Sequence, residues 1–308
     1  MSILITLFVP KHEGAEERTG LDLLGAVTIT GSLILIVLGF SEAPSWGWLS
    51  HTTLSIFVAA VVLLVAFVFN ESRVKHPLVQ LSIFKLRNLT GANLIMAPMY
   101  GTLLGVFFLI TLYVQTVLHY SPVEAGFAFL PFPLLLAFMS TRIPGLVARF
   151  GYRRWLILGP IIVALGLAWL SQLPVAGSYT LNLLPAFIVI PVGIGMTFMP
   201  LIASATSGVP GHQAGLASGL VTTSQMMGGA LGLSILSSVA ASATASAAHP
   251  NTQAALVHGF DKAIFAAIVF MAFAVLLAVT IIRSPRKVQE QEESVSKETR
   301  NLHVVTEV

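Results

Sequence analysis

Long apolar runs alternate with short polar ones along the 308 residues. Eight runs, at roughly 21 to 41, 52 to 70, 90 to 114, 122 to 142, 154 to 173, 181 to 204, 214 to 240 and 261 to 283, approach or exceed the roughly 20 helical residues that cross a hydrocarbon core of about 30 Å. The run Ser2 to Pro10, about 14 Å as a helix, is too short. The pattern predicts an all-α membrane protein of about eight transmembrane helices. In the seventh run Gly215, Ser218, Thr222, Gln225, Gly229 and Gly232 are spaced alternately by three and four. On a helix they form one stripe. Amides and hydroxyls facing lipid tails go unpaired at a cost of several kcal/mol, roughly 2 to 7, so the stripe faces protein or a water-filled cavity.

Two readings of that run stay open. Gly215 with Gly219, and Gly228 with Gly232, are small residues four apart that permit close helix packing, which accounts for them without further function. Alternatively, Thr222, Thr223 and Gln225 face a cavity, with Met226 and Met227 supplying an adaptable apolar surface. The sixth run holds Pro185, Pro191 and Pro200 with Gly193 and Gly195. Proline removes a helical hydrogen bond and glycine eases bending, so a kink or hinge is expected around Pro191, Gly193 and Gly195. In the third run Asn93 and Tyr100 are seven apart, on one face, with Gly101 and Gly105 nearby. They point either to packing or to a polar lumen.

Composition agrees: 56% of residues are hydrophobic and 9% are charged, with no cysteine. If the first polar loop is cytoplasmic, fifteen of the 16 Lys and Arg residues fall on that side. Lys262 is the exception. An even number of spans with both termini cytoplasmic follows from the positive-inside bias. The eight histidines fall in loops, tails or span ends, none at helical metal spacing with another. No nucleophile elbow or catalytic dyad is present, and no Asp, Glu, Lys or Arg lies at the centre of a span. Neither catalytic residue, metal ligand nor cofactor is therefore expected, and the basic residues are explained by membrane orientation, not nucleic acid.

The helix ends carry ordinary signals. Ser121, Pro122 and Glu124 have the spacing of a capping box, and Thr19 with Asp22 has it at the first span. Capping, and not proton carriage, is the expected role of Glu124. Trp46 and Trp48 suit an interfacial aromatic belt. Residues 284–308 are polar and mixed in charge, the composition of a disordered tail.

The run Ala214 to Leu236, AGLASGLVTTSQMMGGALGLSIL, resembles the penultimate span of fourteen-helix drug:proton antiporters of the major facilitator superfamily, the EmrB/QacA type. The stretch Leu21 to Trp48 resembles the first of the two additional central helices of that group, and SPVEAGFAFLP from Ser121 the start of its tenth span. PGLVARFGYRR, Pro144 to Arg154, resembles a second copy of the superfamily's cytoplasmic loop motif. Arg149, Gly151, Arg153 and Arg154 match in kind, while Pro144 and Ala148 stand where the motif has glycine and aspartate.

The resemblance implies a carboxy-terminal portion lacking the first six helices. Residues 1–20 would be the stump of helix six with a cytoplasmic loop, 21–70 the two additional helices, and 71–89 a cytoplasmic linker. Residues 90–283 would form the six-helix carboxy-terminal transporter domain. It implies proton-driven efflux of lipophilic or cationic drugs by alternating access at the cell membrane, with Asn93, Tyr100, Thr222, Thr223, Gln225, Met226 and Met227 on this half's side of the cavity. The lipid bilayer, protons, a small lipophilic substrate and an amino-terminal six-helix half would be its partners. The alternatives are an inactive fragment, half of a split transporter, and a non-transporting membrane interaction protein.

Overall fold

A computed structural model describes residues 22–74, 81–209, 213–250 and 252–282. The expected helix stump at Ser2 to Pro10, Thr19, the middle of the linker and the polar tail lie outside the described residues. Among the described residues all regular structure is helical, and eight segments are long and apolar enough to cross a membrane. They comprise α1 (Leu23–Trp46), α2 (His51–Glu71), α3 (Arg87–Leu112), α4 (Pro122–Phe129), α5 (Pro131–Phe150), α6 (Tyr152–Leu170), α7 (Leu184–Thr206), α8 (Ala214–Ala245) and α9 (Gln253–Thr280). α4 and α5 form one span broken at Leu130, where Pro131 supplies no backbone donor.

Side chains close the helix starts as the sequence pattern suggests, with one change. Ser121 Oγ accepts from Glu124 N at 3.3 Å while Glu124 Oε2 accepts from Ser121 N at 2.8 Å, a complete capping box. At α1, Asp22 is itself the cap: its Oδ1 accepts from Gly25 N at 2.8 Å. Thr19, the other residue of the expected pair, lies outside the described residues. Ser50 caps α2 and Thr252 caps α9 in the same way.

Helices run further than their apolar cores. α5 continues to Phe150, so Arg142 and Arg149 belong to the helix, the Arg142 guanidinium lying 5.3 Å from the Phe138 ring centre. Gly151 makes the corner into α6 with φ of 73°, a left-handed backbone that favours glycine. α9 begins at Gln253, eight residues before the start expected from hydropathy.

The bundle packs α3 against α8, α6 against α7, and α9 across α6, α8 and α3. Small residues set the closest approaches, as expected where lipid offers no hydrophobic drive between helices. A Cβ on Gly159 would strike Gly193 O at 2.7 Å, and one on Gly193 would strike Gly159 O at 2.6 Å. The α1–α2 hairpin stands to one side, joined to the bundle mainly through α1 on α8. There Ser234 Oγ donates to Val37 O at 3.1 Å and Trp48 Nε1 donates to Ser242 Oγ at 3.1 Å.

Candidate functional site

The α3–α8 interface is built from glycine backbones. Gly228 lies against Ala97, Gly232 against Gly101, and a Cβ on Gly101 would come within 2.6 Å of Gly228 O. These contacts require glycine, since any side chain there meets backbone that cannot swing aside. Towards the end of α8 near Gly215 the contact changes character. Asn93, 6% exposed, donates from Nδ2 to Leu89 O at 2.8 Å and accepts at Oδ1 from Ser224 Oγ at 2.8 Å. Its amide thus ties the two helices together.

The residues facing α3 form a row of their own: Ala217, Val221, Ser224, Gly228 and Gly232. By helix geometry this row sits about a quarter turn round from the expected stripe. The two overlap at Gly232. Consequently the stripe is divided: Gly229 and Gly232 are buried, Gln225 is half-buried, and Gly215, Ser218 and Thr222 are exposed. A Cβ on Gly215 or Gly219 would meet nothing within 4 Å, so the packing role expected of these two glycines has no neighbour among the described residues.

The expected cavity set is distributed over three surroundings. Asn93 lies inside the α3–α8 contact, with its carbonyl and amide groups both engaged, instead of facing a lumen. Tyr100 stacks obliquely on Phe198 of α7, ring centres 6.1 Å apart, and covers Gly229. Thr222 and Thr223 are exposed, and each returns its hydroxyl to its own helix, Thr222 to Ser218 O at 3.1 Å and Thr223 to Gly219 O at 2.9 Å. That arrangement satisfies the hydroxyl donors and still leaves lone pairs on an open face.

Met226 and Met227 lead elsewhere. With Leu33, Val37 and Leu231 they line a groove of about 540 Å³ between α1 and α8. Met226 is 69% exposed and, about 40° round from Thr222, borders both surfaces; Met227, about 140° round, belongs to the groove.

α7 passes Pro191 and Pro200 without a break in its α-helical run, and a π-turn at Tyr179–Leu183 precedes it. Gly193 serves the contact with α6, whereas Gly195 admits Met139 of α5. In the loop segment, Gly151 turns the chain and Tyr152 accepts at its hydroxyl from Asn88 Nδ2 at 2.7 Å. Arg153 Nη2 donates to Val279 O at 3.0 Å, joining the start of α6 to the end of α9, while Arg154 is exposed and Arg149 lies in the last turn of α5. The arginines therefore do more than mark an orientation: one of them staples two helices.

Sequence reasoning missed Ser224, although it stands in the small-residue row with Ala217, Val221 and Gly228. It also missed the two hydrogen bonds that anchor the hairpin. Among the described residues no three His, Asp or Glu side chains gather as a metal site would need.

A bundle of membrane-length helices packed through paired glycines, with one polar helix face left open, defines a multi-pass membrane protein. The chain belongs to the Major Facilitator Superfamily, whose family description matches residues 3–233. It is 35% identical to the puromycin resistance protein pur8 of Streptomyces alboniger over 96% of this chain and 60% of that protein. The cephamycin export protein CmcT of Amycolatopsis lactamdurans is 35% identical over 85% of this chain and 54% of its own length. The tetracenomycin C resistance and export protein of Streptomyces glaucescens is 31% identical over 79% of this chain and 45% of its own. The chain thus spans about half the length of these curated relatives.

Proposed function

We propose that this chain supplies one wall of a proton-driven export pathway for lipophilic or cationic compounds, of the fourteen-helix EmrB/QacA type. The observation that carries this reading is the open face of α8, where Ser218, Thr222 and Thr223 are exposed in the first third of a membrane-length helix. Hydroxyl-bearing helix faces belong against protein or water and not lipid, so a second six-helix unit completes the pathway. The names of the relatives, which speak of puromycin and tetracenomycin C resistance and of export, favour small-molecule substrates. Both termini face the cytoplasm in this reading, because the basic residues of the described loops and helix ends gather at the end of the bundle that bears Arg149 and Arg154.

Thr222, Thr223 and Gln225 form this half's polar lining, with Met226 and Tyr100 at its edges, and alternating access moves the lining from one side of the membrane to the other. The bend that accompanies this motion lies in α7 around Pro191, Gly193 and Gly195.

The test is reconstitution in proteoliposomes under a proton gradient, with the chain alone and with a six-span amino-terminal half, using a fluorescent lipophilic cation as substrate. Transport is expected only from the combination, and Gln225→Leu should slow it or narrow its substrate range while leaving expression unchanged. Absence of gradient-dependent transport from every combination would leave the non-transporting interaction protein as the better reading.

A further inference from the structure

The apolar pattern places Asp261 at the outer boundary of the last span, where it would be an ordinary interfacial carboxylate. The fold places it differently. α9 starts at Gln253, so Asp261 follows two full turns of helix, about 12 Å from its beginning. Its Oδ1 is shut off from solvent and has no hydrogen-bond partner among the described residues. A phenol beside its neighbour Phe260 is already committed: Tyr113, fully buried and edge-on to Phe260 at 6.5 Å, donates its hydroxyl to Pro174 O at 2.8 Å.

The surrounding charges do not complete the site. On α9 itself, Lys262 and His258 are both exposed, and Lys262, the adjacent residue, is the nearest cation. α8 carries no titratable residue at all, and those of α6, Tyr152, Arg153 and Arg154, sit at its opposite end. The helical turn that follows α3 contributes Tyr113. His119, in the loop beyond it, shares a 3.1 Å contact with Gln253 at the start of α9. A carboxyl oxygen withdrawn from water without a donor favours neither a salt bridge nor a cap; it is the setting in which gain and loss of a proton change packing most directly.

We propose that Asp261 is a reversible proton-binding site of this half, exchanging with the outer aqueous phase. The step is the protonation of one carboxylate oxygen by hydronium, which releases water, and its reversal; no other bond changes. The proposal deepens the proton-driven reading above and rests on it for its direction across the membrane. It also assigns this chain a titrating group within a span, which its apolar pattern alone does not offer.

The chain contains two aspartates, Asp22 and Asp261, which makes a direct test possible. The whole chain, labelled with carbon-13 at aspartate carboxyls and held in lipid nanodiscs, is titrated by infrared spectroscopy between about pH 8 and pH 5, a range in which exposed carboxylates stay ionised. One labelled band is expected to convert from carboxylate to protonated carbonyl. Asp261→Asn should remove it, Asp22→Asn should leave it, and Asp261→Glu should move it out of the labelled set. No conversion in the wild type, or a conversion that survives Asp261→Asn, overturns the proposal. The wild-type titration with Asp22→Asn decides the matter even if Asp261→Asn fails to fold. A titrating Asp261 in a pathway that exports nothing supports the site and sinks the transport reading; gradient-driven export with a silent Asp261 does the reverse.

Discussion

The two halves of α8 use the same residue types for opposite purposes. In its second half Gly228 and Gly232 are buried against Ala97 and Gly101 of α3, and Leu236 covers Gly105. From Gly215 to Thr223 the glycines have open space beside them and the hydroxyls bond back to their own helix. A glycine four residues from another is therefore not a packing signal in itself; what matters is whether a partner backbone arrives. The division falls near Ser224 and Gln225, where the Asn93 bond marks the last polar tie between the helices.

The sharpest way to break this comparison is a matched pair of substitutions. Gly232→Leu forces a side chain into the Gly101 backbone and should destabilise the bundle by about 3 kcal/mol, seen as loss of monodisperse protein in detergent and a lowered melting temperature. Gly219→Leu adds the same atoms to open space and should leave both unchanged. If the two behave alike, the division of α8 is wrong.

Next in size is the polar tie. Asn93→Leu strands the Ser224 hydroxyl inside the α3–α8 contact and should cost about 2 kcal/mol, against about 1 for Ser224→Ala. A double-mutant cycle in a denaturation assay should return a coupling of about 1 kcal/mol, and additivity would argue against the bond. Gly151→Ala, at a left-handed corner, should cost about 1 kcal/mol by the same assay. The smallest change in stability, under about 0.5 kcal/mol, is expected for Thr222→Val and Gln225→Leu on the open half. Their effect should appear instead in export by the completed pathway, and a normal substrate range would remove them from its lining.

The number of spans was legible because each apolar run is long and separated from the next by a short polar or turn-forming stretch. The helix ends were not, because hydropathy follows the bilayer and the backbone follows hydrogen bonding: Gln253 to Phe260 and Arg142 to Phe150 continue helices beyond their most apolar stretch. That is why Asp261, the first residue of the last apolar run, did not stand out as a group within a span. The stripe on α8 was found but its facing was not, since two rows of small residues lie about a quarter turn apart and composition does not say which one meets α3. Asn93 was correctly singled out as a buried polar residue. Its partner, Ser224, is not marked out by residue type, since Thr223 beside it carries the same single hydroxyl and Gln225 a larger polar group.

The hairpin of α1 and α2 has a mechanical consequence of its own. The hairpin touches the rest of the protein mainly through α8, by Val37 of α1 and by Trp48 in the turn between α1 and α2, and α2 leans chiefly on α1. The hairpin is thus an outrigger mounted on a single spar. A roll of α8 would swing the pair with it through the surrounding lipid, so bilayer viscosity and thickness would load that helix with a drag beyond what its own surface meets.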